Sequence, residues 1–420
     1  MTDLSTPPAR AADTAVDRQD ERLSQPTDLR GSVAAFVRRV RAGDLGALPV
    51  VVGLVIIWTV FQLLNPVFLS SNNLVNLSLE LVSVGVIALG IVAVLVVGQI
   101  DLSVGSVSGL SAAIVGVLWV RQGWPVWVAI AVALGAAAVI GLLYSALFNR
   151  FGVPSFVATL AGLLAFLGLQ LYLLGDQGSI NLPFESPLVE FATLAFVPAA
   201  LSYVLAALVP AGMLAAGLAQ ARRRRSAGLS ARSTTALLVR SGAVLVALEV
   251  AVWYLNRARG VGWMFVLFAA LVVVMQYALT RTRWGRSAFA VGGNVEAARR
   301  AGINVRRVYL SVFVTASTLA ALGGVLAAAR LASANTASGT GDVNLNAIAA
   351  AVIGGTSLFG GRGSAYSALL GIIVIQSISS GLTLLNLSSS FRFMITGLVL
   401  ALAVGVDSLA RKSRASHGQA

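Results

Sequence analysis

Apolar runs of about 20 residues recur between Leu48 and Leu409, separated by short clusters of glycine, proline or arginine. A helix of that length crosses a hydrocarbon core of roughly 30 Å. The pattern therefore predicts an all-α protein, a polytopic transmembrane helical bundle of about twelve spans. The predicted spans are Leu48–Phe68, Leu77–Val97, Leu102–Val120, Val126–Phe148, Pro154–Leu174, Leu194–Ala219, Ala236–Leu255, Val261–Thr280, Val308–Ala329, a short Ala347–Leu358, Ser364–Leu385 and Phe393–Leu409.

Composition supports a membrane location. The 420 residues are 57% hydrophobic and 11% charged, with a mean hydropathy of +0.87. A soluble domain of this size could not bury that much apolar surface, so the chain needs lipid as a solvent.

The formal charge of +14 comes from arginines in short stretches between the apolar runs, without the interleaved aromatics of a nucleic-acid-binding face. These arginines indicate topology rather than nucleic-acid binding. With twelve spans and both termini in the cytoplasm, most of them face inward, whereas Arg121, Arg257, Arg259, Arg330 and Arg392 face outward. The pair of predicted spans that flanks Asn256–Gly260 is the poorest fit to the rule that arginines near span ends face the cytoplasm.

The pattern of apolar and polar residues divides the chain into three regions. Residues 1–44 are polar and lack the apolar stretch of a signal peptide, which predicts a disordered cytoplasmic tail. Residues 45–410 form the predicted transmembrane domain, with a cytoplasmic basic loop at 220–235, and residues 411–420 form a cytoplasmic C-terminal tail.

Residues for several kinds of chemistry are missing from the sequence. There is no cysteine, and the one histidine is His417 in the C-terminal tail, so we expect no metal site and no histidine-based catalysis. The only lysine, Lys412, does not follow a glycine loop, so the chain cannot build the phosphate-binding motif of an ATPase. Gly339-Thr340-Gly341 lacks the third glycine of a dinucleotide site and indicates a turn. We expect neither catalytic residues nor a cofactor.

The first break in the apolar pattern is Gly98-Gln99-Ile100-Asp101-Leu102-Ser103-Val104-Gly105-Ser106. We predict that Asp101 is the N-cap of the next helix, since a carboxylate suits free N–H groups and the helix dipole there. Gly105 and Gly109, four residues apart, would let a neighbouring backbone approach closely. The alternative is that Asp101 and Ser103 contact the transported substrate directly.

The second break contains Gly354, Gly355, Thr356 and Ser357 and continues to Gly363, after a short span. It is either a tight cytoplasmic turn anchored by Arg362 or an interruption that shapes the translocation path.

A third polar segment, residues 292–304, combines a helix-forming middle with ends suited to capping. Glu296 near its start and Arg299 near its end suit the helix dipole, and a solvated loop is the alternative. The residues that support a short capped helix outside the membrane are Asn294, Glu296, Ala297, Ala298, Arg299, Arg300 and Gly302.

Three stretches resemble, in their order along the chain, the three signatures of bacterial ABC-type monosaccharide permeases, the family of ribose, xylose, galactose and arabinose importers. They are Ile100–Ser103, Gly292–Asn304 and Ala349–Gly361. The resemblance implies a type II ABC-importer-like fold, a homodimer, and an extracytoplasmic binding protein that delivers sugar. It also implies a cytoplasmic ATPase docked on a coupling helix at Asn294–Ile303, where the small Ala298 would enter a groove on the partner.

The chain departs from the shorter members in two ways. About two extra spans and a basic loop lie between Leu174 and Arg281, as in the xylose-type permeases, and Gln99 stands where glycine is more usual. Related branches transport nucleosides or branched-chain amino acids, so another small solute stays open as substrate.

An ion-coupled secondary transporter is the rival hypothesis. It would need ionisable groups within the membrane, for which Glu80 and Glu249 are the candidates. It gives no reason for a capped helix at residues 294–304. A membrane-embedded enzyme would need a catalytic set that the sequence lacks.

Overall fold

The structure is a computed structural model that describes residues 48–388 continuously and positions 31, 34, 390, 391, 394, 395, 397, 398, 401 and 405. The two predicted tails and the last predicted span lie outside the continuous range. Within that range the helices are α1 Leu48–Leu64, α2 Ser71–Val96, α3 Val104–Val115, α4 Val126–Phe151, α5 Ser155–Leu174, α6 Pro187–Thr193, α7 Ala199–Ser226, α8 Thr234–Leu255, α9 Trp263–Arg281, α10 Arg283–Gly293, α11 Val295–Arg300, α12 Val305–Leu331, α13 Val343–Ile353 and α14 Ala365–Leu384.

The predicted helical membrane fold is confirmed. In the described part of the chain, nine helices are long and apolar enough to cross a membrane, counting α3 with the π-helix Gly116–Arg121 that extends it. The shorter α1 and α13 are also apolar. The largest error in a helix start is in α2, which begins at Ser71 because Ser70 caps it by accepting from the N–H of Asn73. The asparagines of its first turns lower the local hydropathy, so the pattern placed this start six residues late.

Residues Gly46–Phe196 and Val261–Arg411 form one compact unit. The helix with the largest number of buried residues is α2, which supplies many of the large side chains that are less than 2% exposed: Leu79, Leu81, Ile87, Leu89, Ile91 and Leu95. Helix α12 packs along α2, α3 and α4.

Small residues allow these helices to pack backbone to backbone. A Cβ added to Gly90 of α2 would lie 3.0 Å from the carbonyl oxygen of Ala316 on α12. A Cβ on Gly141 of α4 would lie 2.6 Å from the Cα of Val314 on the same helix. Close packing of this kind stabilises helix bundles in lipid, where hydrophobic burial between helices contributes little.

The chain between α12 and α13 is not helical. It begins with the strand β2, Ser333–Asn335, which pairs antiparallel with β1, Ser179–Asn181, so that Ile180 lies opposite Ala334. Residues 336–342 then continue along α3 to the start of α13.

Residues Val197–Gly260 belong to a second compact unit, in which α7 and α8 pack against each other. Helix α7 continues to Ser226, so Arg222–Arg225 lie in its last turns and the predicted loop at 220–235 is shorter than expected. The Arg224 side chain donates to the carbonyl of Ser230, 2.6 Å away, and Leu237 of α8 packs near Ala221 of α7.

Candidate functional site at the junction of three glycine-rich segments

The three segments singled out in the sequence meet at one place. The N–H of Gly361, in the turn between α13 and α14, donates to the carbonyl of Val96 at the end of α2, 2.9 Å away. A Cβ on Gly360 would lie 2.6 Å from the oxygen of Gly292 and 2.9 Å from the nitrogen of Gly98. Backbone therefore packs directly on backbone at this junction, and movement of any one segment displaces the other two.

Positive φ angles give three of these glycines a conformational requirement. Gly98 has φ of 73°, Gly360 has φ of 83° and Gly361 has φ of 71°. An L side chain would be strained at each of them, and at Gly360 its Cβ would also lie too close to Gly292 and Gly98.

The predicted capped helix is present as α11. The Asn294 side chain accepts from the N–H of Ala297, 2.9 Å away, which caps its start. At its end Gly302 has φ of 81°, and the N–H of Ile303 donates to the carbonyl of Ala298. Glu296 and Arg299 form an exposed ion pair of 2.6 Å. The helix covers only Val295–Arg300, shorter than the predicted 292–304.

Burial corrects the expected role of Ala298. Its side chain is 3% exposed and packs in the core of its own chain, so it cannot enter a groove on a partner. The exposed positions of α11 that a partner could contact are Glu296, Ala297, Arg299 and Arg300.

Sequence reasoning also missed a helix before α11. Helix α10, Arg283–Gly293, begins at Thr282, whose side chain accepts from the N–H of Gly285. The Trp284 indole donates to the hydroxyl of Ser311 on α12, 2.8 Å away. The predicted span ends at Thr280, and the arginines that follow it indicated a cytoplasmic stretch rather than a further helix.

Asp101 is not the N-cap of α3. The residue in that position is Ser103, whose side chain makes no capping bond. Asp101 lies two residues earlier and is 1% exposed. Its Oδ1 accepts from the N–H of Ser103 at 2.8 Å and from the Ser103 hydroxyl at 2.7 Å. The carboxylate therefore stabilises the turn that leads into α3.

Polar side chains from two other helices hold the same segment. The hydroxyl of Thr159 on α5 accepts from the N–H of Leu102 at 3.1 Å. The amide of Asn344 on α13 donates to the carbonyl of Leu102 at 2.7 Å. These bonds satisfy backbone groups that no helix ladder satisfies. Sequence reasoning missed both residues, although a lone polar residue in an apolar run is a usable signal.

The expected close approach at Gly105 and Gly109 is present. A Cβ on Gly105 would lie 2.6 Å from the oxygen of Gly339, and one on Gly109 would overlap the oxygen of Ser338. The fully buried Gln170 of α5 donates to the carbonyls of Asn335 at 3.0 Å and Ser338 at 2.9 Å. Gln170, also missed from sequence, thus holds the non-helical connection against α3.

The second break is a tight turn between α13 and α14. The N–H of Thr356 donates to the carbonyl of Ala351, and the N–H of Ser357 donates to the carbonyl of Arg362, each over 3.0 Å. Gly355 has φ of 103°, and a Cβ on Gly354 would overlap the carbonyl of Ser367. Thr356 and Ser357 are buried within the chain. Of the two predicted alternatives, this geometry favours the tight turn.

Two substitutions of Asp101 distinguish the role of its hydrogen-bond-accepting oxygen from the role of its negative charge. Asp101→Asn keeps an oxygen for the two Ser103 donors, so we expect near-normal folded yield. Asp101→Leu leaves those buried donors unsatisfied, at about 1–3 kcal/mol, and should lower the melting temperature in detergent. Melting and uptake are measured for both variants. Two stable variants that both fail to transport would show that the charge itself acts in transport.

Comparison with known proteins identifies the family. A family model described as "Branched-chain amino acid transport system / permease component" matches residues 73–404. The chain belongs to this permease family. This permease is therefore a multi-pass protein of the inner membrane, and is the permease component of a transport system rather than its ATPase.

The individual proteins that the chain resembles include xylose and ribose permeases. The permease is 35% identical over 353 residues to the xylose transport system permease protein of Escherichia coli strain K12, covering 82% of the chain and 87% of the relative. The xylose transport system permease protein of Haemophilus influenzae is 30% identical over 345 residues, with 82% and 91% covered. The ribose import permease protein of Escherichia coli strain K12 is 30% identical over 359 residues, with 85% and 92% covered. The predicted resemblance is confirmed; no solved structure matches significantly.

Proposed function

We propose that this permease imports a monosaccharide such as xylose, driven by a separate cytoplasmic ATPase that docks on α11. The observation that carries the proposal is the direct backbone contact of Gly292, the next-to-last residue of α10, with the end of α2 and the α13–α14 turn. The similarity to xylose and ribose permeases supports the substrate class.

The contacts suggest how movement passes through the chain. Helix α11 begins three residues after Gly292, and its exposed face is free of apolar side chains larger than alanine. When the ATPase closes on ATP, α11 would move with it and displace Gly292. Because Val96 and Gly361 lie against Gly292, the end of α2 and the turn before α14 would move together. The capped ends of α11 make it stiff enough to transmit such a displacement.

The remaining parts of the importer follow from this assignment. Sugar would be delivered by an extracytoplasmic binding protein, and two copies of the permease would form the path. Both termini and α11 would face the cytoplasm, which agrees with the arginines that flank the apolar runs. The permease itself would bind neither a cofactor nor a metal, since ATP is bound by the partner.

Reconstitution tests the proposal. Purified permease alone should hydrolyse no ATP, and vesicles should take up radiolabelled xylose only when ATPase, ATP and binding protein are all present. Omitting each component in turn provides the controls, and a panel of pentoses, hexoses and nucleosides in competition defines the substrate class. Uptake driven by a proton or sodium gradient without ATP would show that the assignment is wrong.

A further inference from the structure

An acidic residue lies on an exposed face of α2, a helix that is otherwise largely buried. Glu80 of α2 is exposed, and its Oε2 accepts from the side-chain amide of Gln376 on α14, 2.8 Å away. With a rise of 1.5 Å per residue, Glu80 lies about 14 Å from the first residue of α2 and about 24 Å from its last. The carboxylate is therefore more than two turns inside α2 and not at a helix end.

Further polar residues continue this face toward the start of α2. Asn76 and Asn72 precede Glu80 by one and two helical steps of four residues. On α14, Thr383 follows Gln376 by seven residues, which places it on the same face. The hydroxyl of Ser380 donates to Asn73, 3.2 Å away, and so joins the two helices beside this face. We call Asn72, Asn76, Glu80, Gln376 and Thr383 the polar stripe.

Other exposed faces of the same unit have a different composition. Exposed positions of α1 include Val51, Val55 and Ile56, and those of α4 include Val139 and Leu143. Such faces suit lipid, whereas a carboxylate and several amides facing hydrocarbon are costly and mark a water-filled path or a protein contact. The polar stripe therefore does not face lipid.

The chemistry of the stripe fits a neutral polyhydroxyl ligand. The hydrogen bond to Glu80 comes from an amide and not from a cation, so the carboxylate keeps its capacity to accept from hydroxyls. Glutamine, asparagine and threonine side chains can each donate to or accept from a sugar hydroxyl. Hydrogen bonds spread along two helices allow a sugar to be held weakly at successive positions, which suits passage better than one tight site.

We propose that the polar stripe on α2 and α14 lines the translocation path and contacts the hydroxyls of the passing sugar. This inference rests on the proposed function and goes beyond it, since it names the side chains along the path. It also gives Glu80 a role without ion coupling.

The absence of cysteine from the sequence permits a direct test. Asn76→Cys and Thr383→Cys place single thiols on the stripe. The matched controls are Val55→Cys and Val139→Cys, at side chains 60% and 55% exposed on the apolar faces. Each variant is assembled with the ATPase in lipid nanodiscs, which expose both membrane sides. Thiols are then labelled with a charged, water-soluble methanethiosulfonate or with a lipid-soluble maleimide.

We expect the charged reagent to label positions 76 and 383 several-fold faster than the two controls, which should react only with the maleimide. Xylose-loaded binding protein with ATP should slow labelling of the stripe and leave the controls unchanged. Failure of the charged reagent at both stripe positions would overturn the proposal, as would labelling that sugar never slows. Unlabelled stripe thiols that instead cross-link two copies on oxidation would assign this face to a dimer contact.

The outcome can be separated from that of the proposed function. The unmodified permease is assayed in parallel for ATP-driven xylose uptake. Normal uptake with an unlabelled stripe rejects this inference alone. Absent uptake with a labelled stripe rejects sugar import while showing that the stripe borders water.

Discussion

Ala297→Trp is expected to reduce ATP-driven xylose uptake to background while leaving the permease folded. Ala297 is exposed on α11, so an indole there creates no clash within the chain. The cap provided by Asn294 holds α11 in one orientation, which leaves the helix little freedom to turn the bulky side chain away from a docked ATPase. The partner should then fail to co-purify, or bind without supporting uptake.

Ala298→Trp provides the matched comparison, because the same substitution is made one residue later on the same helix. Ala298 is buried, so a tryptophan there overpacks the core and should lower the melting temperature before any docking defect is seen. The measurements are melting in detergent, co-purification with the ATPase, and uptake into vesicles. A stable Ala297→Trp variant with normal complex formation and normal uptake would show that the exposed face of α11 is not the docking surface.

Gly109→Val is expected to abolish the folded yield of the permease. The oxygens of Ser338 and of the Gln170 side chain occupy the space that a Cβ would need at this position. Both belong to the contact that holds the non-helical connection after β2, so neither can shift without loss of the Gln170 hydrogen bonds. Gly109→Ala should be milder, at about 1–3 kcal/mol for overpacking a close contact.

Gly168 of α5 offers the control, since a Cβ there would meet nothing within 4 Å. Gly168→Ala and Gly168→Val should therefore give nearly normal yield, and alanine can even stabilise the helix. Size-exclusion profiles and melting curves in detergent compare the four variants. Equal stability of Gly109→Val and Gly168→Val would mean that residues 336–342 do not pack against α3.

The candidate site shows how far local sequence can be used for inference. The cap at Asn294 and the stop at Gly302 were predicted, since each depends on residues within one or two helical turns. The turn at Gly354–Gly363 was one of two alternatives that the sequence left open. The capping role predicted for Asp101 was wrong. Its true partners are the N–H and hydroxyl of Ser103, and local sequence does not distinguish a carboxylate at the cap from one two residues before the cap.

The sequence by itself determined that this protein is an all-helical membrane permease, because apolar run length, arginine placement and the three motifs are properties of neighbouring residues. Only the tertiary structure decided which of two adjacent alanines on α11 is exposed, and that Gly98, Gly292 and Gly361 meet. It also decided that Glu80 of α2 lies against Gln376 of α14, which is 296 residues later in the chain. Contacts of this kind depend on how helices pack, and small residues permit many packings that a single sequence does not distinguish.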